Sequence, residues 1–505
     1  MEFVTDYLEK TAARLPEKTA FWDEKREISF LQLQTEAQRL GTAVSEKGFF
    51  DQPVCIYMEK GVEAIASMLG IIYSGNYYTV IDVTMPETRI SKILEVLQPA
   101  AVVTDAAHRE AFQALASESC MDVIIYEDSV KQEENSELLT GIREKMNGES
   151  TMFVLFTSGS TGVPKGVIIQ HKAFPPYLTW YEEYFHYTDR DVIGNQTPFY
   201  YIMSCPDIYL TIKTGATCYI VPKKSFAFPM MVMNFLKEHH VTIMEWVPSI
   251  LCTIANFRVL PEVHLDDLRL VLFGGEVMPA KQLNMWRAEY PDVRFYNGYG
   301  LTETTEVLSW YEITEDLADD QSIPIGKPVD YLKALILDEN DKEVPEGETG
   351  ELCAAGIAIA GGYYNMPEKT AQVFMDNPLF CAGDDPETRR MYRTGDLVKI
   401  DGNGDIIYMG RKDFQIKHMG NRIELGEIEM AVNSLDGMEL CCCHYDAARK
   451  QIVLFYSGNI DEDTVNEKLG GMLPAYMVPN RIERLEKMPF NINGKIDRAA
   501  LKERI

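Results

Sequence analysis

The first 140 or so residues alternate two hydrophobic patterns. "VCIYM" (54–58), "YYTVID" (77–82) and "AAVVTD" (100–105) are short apolar runs of strand length. Between them, "VTDYLEKTAARLP" (4–16) and "GVEAIASMLGIIYSG" (61–75) repeat their apolar positions at helical spacing. Strand and helix in alternation predict an α/β sheet. "EDSVKQEENSE" (127–137) is acidic and reads as a solvated surface connection, after which "TMFVLF" (151–156), "VTIMEWV" (241–247) and "LRLVLF" (268–273) resume the buried-strand pattern.

Beyond about residue 320 the texture changes. "VDYLKALILDENDKEVPEGETGELCAAG" (329–356) has strands broken by turn residues, as in a small antiparallel or barrel-like subdomain. "VKIDGNGDIIYMG" (398–410) predicts a hairpin turning at 401–405. A compact α+β tail follows. The expected organisation is a large α/β domain over 1–410, with its barrel-like subdomain, and a small, mobile α+β domain over 411–505.

Charge narrows the partners. The chain carries 48 basic and 77 acidic residues, a net charge of -29. A nucleic-acid binder needs a basic face, and an anionic membrane surface repels the same charge, so both are disfavoured. The N-terminus is acidic where a signal peptide is basic, and no apolar run approaches the roughly 18 residues of a membrane span. The ten cysteines show no paired CxxC spacing. "CCCH" (441–444) sits in a strand-like context, where neighbours point to opposite faces and cannot converge on one metal. Buried strand thiols and a reducing, cytoplasmic setting are expected.

The candidate chemistry starts at "FVLFTSGSTGVPKGVII" (153–169), two apolar segments around a loop of Gly, Ser, Thr and Lys. It is not a Walker A loop: Lys165 is followed by Gly166 rather than Ser or Thr, and the chain enters a strand rather than a helix. It still has the parts of a phosphate cradle. Gly159, Gly162 and Gly166 free the backbone, Thr157, Ser158, Ser160 and Thr161 bring hydroxyls, successive amides can form an anion nest, and Lys165 brings charge. Composition alone leaves a flexible polar hairpin as the other reading.

"TSGSTGVPKG" resembles the signature loop of the adenylate-forming superfamily, which includes acyl-CoA synthetases, luciferase and the adenylation domains of nonribosomal peptide synthetases. "NGYGLTETTE" (297–306), "GELCAAGIAIAGGYYNMPEKT", "YRTGDLV", "GRKDFQIKHMGNRIELGEIE" and "NGKIDR" follow in the family's order and spacing. "FGGEVMP", "LPAYMVP" and "NGKIDR" bring the chain nearest to free-standing amino-acid adenylation enzymes similar to D-alanine–carrier protein ligases. The resemblance implies a Mg²⁺- and ATP-dependent enzyme that makes an acyl-adenylate and then a thioester. The acceptor would be a separate carrier protein or coenzyme A, since the sequence has no room for a carrier domain after Lys495. An acyl- or aryl-CoA synthetase and an inactive binding homologue are the alternatives.

The resemblance also implies roles. Thr157, Ser158, Gly159, Ser160, Thr161 and Lys165 would orient the β- and γ-phosphates. Asn297, Gly298, Tyr299 and Gly300 would line the adenine side. Thr302 would contact the α-phosphate, and Glu303 would hold Mg²⁺. Asp396 would accept the ribose hydroxyls, with Arg411 near the ribose or phosphates. Lys495 would bridge substrate carboxylate and α-phosphate, and the small domain would pivot at Asp413, turning 417–427 toward the arriving thiol.

The acid is less determined. By the same alignment its pocket is Ile202, Met203, Pro206, Glu245, Leu272, Gly274, Gly298 and Glu306. Activators of α-amino acids carry an Asp where this chain has Ile202, and Asp207 matches a separate position. D-alanine ligases keep that Asp and have Cys at the place of Gly274, so D-alanine is in doubt. Three readings stay open. Glu245 or Glu306 holds a displaced amine, as in a β- or ω-amino acid. The acid has no amine, as in an aryl, hydroxy or fatty acid. Or the alignment slips, or a glutamate serves a standard α-amino acid directly.

Overall fold

The computed structural model describes residues 1–115, 121–159, 163–412, 415–489 and 496–505. They form two units. One comprises Met1–Val83, Gln98–Leu155 and Val167–Lys412; the other comprises Thr84–Leu97, Phe156–Gly166 and Asp413–Ile505.

The larger unit contains a nine-stranded sheet. Its centre is parallel: Leu270–Gly274 lies between Ile243–Trp246 and Arg294–Tyr299, and Val192–Asn195 and Thr217–Ile220 continue it. These strands are buried almost throughout, which is why they read as continuous apolar runs rather than alternating ones. Antiparallel Ser309–Glu312 closes one side of Arg294–Tyr299. A seven-stranded sheet carries Pro53–Tyr57, Tyr77–Ile81, Ala101–Thr104 and Thr151–Thr157. The helices Val4–Arg14 and Val62–Tyr73 lie where the helical spacing puts them.

The segment expected to be barrel-like forms a five-stranded antiparallel sheet of Leu332–Leu337, Gly350–Gly356, Phe374–Asp376, Arg390–Ile400 and Ile406–Arg411. Arg390–Ile400 and Ile406–Arg411 make the hairpin, with Asp401 accepting from the amides of Asn403 and Asp405 inside the turn. The acidic 127–137 stretch departs in part from a plain connection. Residues 131–137 are exposed, but Tyr126–Ser129 is a helical turn with Ser129 buried, its hydroxyl donating to the Ile125 carbonyl.

In the smaller unit, Met438–Asp446, Gln451–Gly458 and Arg481–Arg484 form a three-stranded sheet, with helices at Leu425–Asn433 and Glu462–Met472. Cys441 and Cys443 enter one hydrophobic cluster and Cys442 another. The three thiols are buried on opposite faces of one strand, as the pleat requires, and burial pushes Cys441 and Cys442 up from the ordinary thiol range. Among the described residues, no group of three or more His, Cys, Asp or Glu can hold a metal ion, and no helix is long and apolar enough to cross a membrane.

Candidate active site

Asp396 and Arg411 face each other across the hairpin register, and Arg411 Nη1 lies 2.8 Å from Asp396 Oδ1. Both side chains are buried, the carboxylate completely. Tyr299, the last residue of its strand, donates its hydroxyl to Asp396 Oδ2. A sheet of parallel strands and a separate antiparallel sheet thus meet at one carboxylate. Each of its oxygens keeps a second lone pair for another donor. Asn297 Nδ2 donates to the Pro324 carbonyl at 2.7 Å, which anchors the same strand end.

The chain then makes a tight loop. Gly300 is required there: a Cβ on it would stand 1.7 Å from the Glu306 carbonyl oxygen. Thr302–Thr304 form a 3₁₀ turn, followed by Thr305 and Glu306 in the left-handed region at φ 49° and 82°. Such a conformation is costly for residues with side chains, and the surrounding contacts hold it. Thr305 Oγ1 donates to the Ala358 carbonyl at 2.7 Å, and the Ala360 amide donates to the Glu303 carbonyl at 2.9 Å. Glu303 is fully buried, with Oε1 accepting from Tyr363 Oη at 2.7 Å. One hard carboxylate suits Mg²⁺, which characteristically takes one or two protein ligands and completes its octahedron with phosphate and water oxygens.

In the smaller unit, the glycine-rich loop meets two glutamate side chains. The Gly159 amide donates to Glu427 Oε2 at 3.2 Å, and Glu427 Oε1 takes Arg89 Nη1 at 3.0 Å. Lys165 Nζ lies 3.5 Å from Glu424 Oε1, and Ser158 Oγ donates to the Arg422 carbonyl. An amide assigned to phosphate on sequence grounds therefore holds a carboxylate here. Ser160, Thr161, Asp413 and Lys495 lie outside the described residues.

The acid-pocket residues come together in part. Glu245, Leu272, Gly274 and Gly298 sit on three neighbouring strands, with Glu245 paired to Leu272 and Gly274 to Gly298. Gly298 does not leave an open gap: a Cβ there would stand 2.4 Å from the Trp310 ring, which fills that space. A Cβ on Gly274 would stand 2.8 Å from the Gly298 carbonyl oxygen. Ile202 is buried and opens the 3₁₀ turn Ile202–Ser204, Met203 is half-buried, and Pro206 lies in the first turn of the helix Cys205–Thr214. Asp207, fully buried, accepts from Asn195 Nδ2 at 2.6 Å, so the two ends of the segment 195–207, which carries Ile202, Met203 and Pro206, are tied together. Burial raises Asp207 to about 7.

Glu306 and Glu245 meet through helix Phe174–Phe185. Tyr177 Oη donates to Glu306 Oε2 at 2.5 Å, while Tyr181 Oη lies 3.0 Å from the same oxygen and 3.2 Å from Glu245 Oε1. Burial pushes Glu306 up to about 7, and burial together with the Glu306 charge pushes Glu245 well above the carboxylate range. The sequence reading missed Tyr177, Tyr181, Trp310 and Tyr331. The first two carry a usable signal: spaced four apart on one helix, they share a face. Arg89 carried no comparable local signal, and Glu427 lies in the 417–427 segment without being marked there as its partner.

Comparison with known proteins agrees with this geometry. Residues 8–364 match the family model described as AMP-binding enzyme. Tyrocidine synthase 1 of Brevibacillus parabrevis is 31% identical over 501 residues, covering 98% of this chain and 44% of the relative. Zwittermicin A synthase ZmaJ of Bacillus cereus is 30% identical over 507 residues, covering 98% of this chain and 93% of the relative. A solved NRPS protein containing adenylation and PCP domains has the same fold, with a TM-score of 0.84 at 22% identity over 100% of this chain and 84% of that one. The chain spans less than half of tyrocidine synthase 1. It belongs to the AMP-binding enzyme family, within the adenylate-forming superfamily of ligases.

Proposed function

We propose that this AMP-binding enzyme activates a carboxylic acid with ATP and passes the acyl group to the phosphopantetheine thiol of a carrier protein. In the first step a carboxylate oxygen attacks the α-phosphorus, the bond to the β-phosphate bridging oxygen breaks, and pyrophosphate leaves. In the second, the thiolate sulfur attacks the acyl carbonyl, and AMP leaves with the electron pair of the acyl–oxygen bond. Both steps depend on placing charge and reactants more than on covalent help from the protein.

The observation that carries this reading is the Asp396 cluster. A fully buried carboxylate, fixed by Arg411 and Tyr299, stands at the end of the strand whose following loop brings Thr302 and the buried Glu303. In the proposed roles, Asp396 takes the ribose hydroxyls beside Arg411, and Tyr299 with Asn297, Gly298 and Gly300 forms the adenine side. Thr302 contacts the α-phosphate. Glu303 holds Mg²⁺, whose charge offsets that of the phosphates. The 157–165 loop takes the outer phosphates, consistent with the anion already bound by its Gly159 amide. Lys495, on a domain running from 411 to 505 and hinged at Asp413, bridges carboxylate and α-phosphate as a compact charge on a long stem. The carrier as acceptor is supported by motif resemblance and by the PCP domain named for a solved protein of the same fold.

The test is Lys495→Ala. It should reduce acid-dependent ATP–pyrophosphate exchange about a hundredfold or more, the range expected when a transition-state cation is removed. Transfer from a supplied acyl-adenylate to the thiol should survive. Unchanged exchange would remove Lys495 from the first step.

A further inference from the structure

Some buried carboxylates here meet a guanidinium, while others, Asp207 among them, have none among the described residues. Asp191 has Arg269 at 2.7 Å, Asp396 has Arg411 at 2.8 Å, and Glu427 has Arg89 at 3.0 Å. Glu245 and Glu306 belong to the second group, and they stand together. They are 1% and 7% exposed, lie side by side on two separate segments, and among the described residues neither has an ion-pair partner. Glu306 Oε2 takes two tyrosine hydroxyls, whereas among the described residues Glu245 Oε2, fully buried, meets no donor beyond a proton it can share with Glu306.

The walls around the pair are aromatic. Tyr177 and Tyr181 pack edge to face at 5.1 Å, Trp310 lies 6.0 Å from Tyr181, and Tyr331 lies 6.3 Å from Tyr177. Trp310 Nε1 and Tyr331 Oη also lack partners among the described residues. Two carboxyl groups with an unfilled oxygen, set among aromatic side chains, make a receptor for an ammonium ion, the carboxylates supplying both charge and hydrogen-bond acceptors. With an uncharged ligand the pair has no cation and keeps a proton in its place, whereas a bound ammonium would let that proton go. Ile202, in contrast, offers no charge to an amine next to the substrate carboxylate.

We infer that Glu245 and Glu306 receive a protonated amine at the far end of the activated acid, so that the substrates are amino acids whose ammonium group stands away from the carboxylate. This rests on the acid-activation reading above and names the substrate class of the same site.

The experiment is ATP–pyrophosphate exchange with the full chain on matched pairs: β-alanine with propanoate, 4-aminobutanoate with butanoate, 5-aminopentanoate with pentanoate, and 6-aminohexanoate with hexanoate. D- and L-alanine and benzoate are run beside them. One aminated acid should exceed its neutral partner, the alanines and benzoate at least tenfold. Glu245→Gln and Glu306→Gln should each cut that ratio about tenfold or more, with thermal melting and ATP binding measured on both variants. A neutral or α-amino acid preferred by the wild type overturns the inference while leaving acid activation standing, and the wild-type ratio decides this even if a variant fails to fold. A ratio unmoved in folded variants overturns it too. Exchange with none of the acids, in protein that binds ATP, counts against both the inference and the acid-activation reading, and the absence of the α-amino and aryl signals separates that result from a mere change of preference.

Discussion

Glu245 and Glu306 are joined by one phenol, since Tyr181 Oη lies 3.2 Å from the first and 3.0 Å from the second. A phenol has a single proton, so it serves two carboxyl groups only by donating to one and accepting from the other in protonated form. Burial raises Glu306 from 4.5 to about 7, so the folded protein holds a proton there that the unfolded chain releases. The sign follows. This stabilising protonation is complete below the unfolded value and is lost as pH rises through the folded one. The melting temperature of the wild type minus that of Glu306→Gln should therefore fall between about pH 4.5 and 7. A difference that stays level or rises across this window contradicts the assignment.

Gly300→Ala tests the loop that carries Thr302, Glu303 and Glu306. The added methyl would meet the Glu306 carbonyl oxygen at 1.7 Å, and backbone cannot yield there as a side-chain tip can. The expected cost is about 1–3 kcal/mol or more in urea unfolding, with exchange activity falling at least tenfold. Wild-type stability and activity in the variant would show that the loop is not constrained in this way.

Much of this was legible in the sequence. The buried strands announced themselves because they are apolar on both faces, the glycine-rich loop stood out by its residue types, and "YRTGDLV" stood out by its resemblance to the adenylate-forming superfamily. What escaped was long-range. Nothing near Gly298 says that Trp310 will lie over it, because that contact is made across an antiparallel register. Glu245 and Glu306 could be named as pocket residues, but their joining through Tyr181 depends on a helix far from both in sequence. The short turn at Tyr126–Ser129 was hidden by an acidic composition that suits a loop equally well.

Asp396→Asn keeps the shape of the side chain and removes its charge. Arg411 then loses its buried counter-ion, and a ribose would lose a charged acceptor. Half-saturation of exchange by ATP should require about ten- to a hundredfold more nucleotide, in line with about 1.5–3 kcal/mol for a charge-assisted hydrogen bond. An unchanged ATP requirement would place the ribose elsewhere.

Glu303→Gln keeps an oxygen for the Tyr363 hydroxyl at the same position. Folding should therefore change little, while the Mg²⁺ needed for half-maximal exchange rises about tenfold, the effect of replacing an anionic oxygen ligand by a neutral one. If the Mg²⁺ titration does not move, the metal is not held by this residue.

The central claim is that the activated acid is passed to a carrier thiol. The direct measurement is intact-protein mass spectrometry of a phosphopantetheinylated carrier incubated with the enzyme, Mg²⁺, ATP and the acid that scores highest in exchange, with coenzyme A as acceptor in a parallel reaction. The account predicts that the carrier gains the mass of the acid minus water, with AMP formed in equal amount and little acyl-coenzyme A. Acyl-coenzyme A accumulating while the carrier stays unloaded would contradict it.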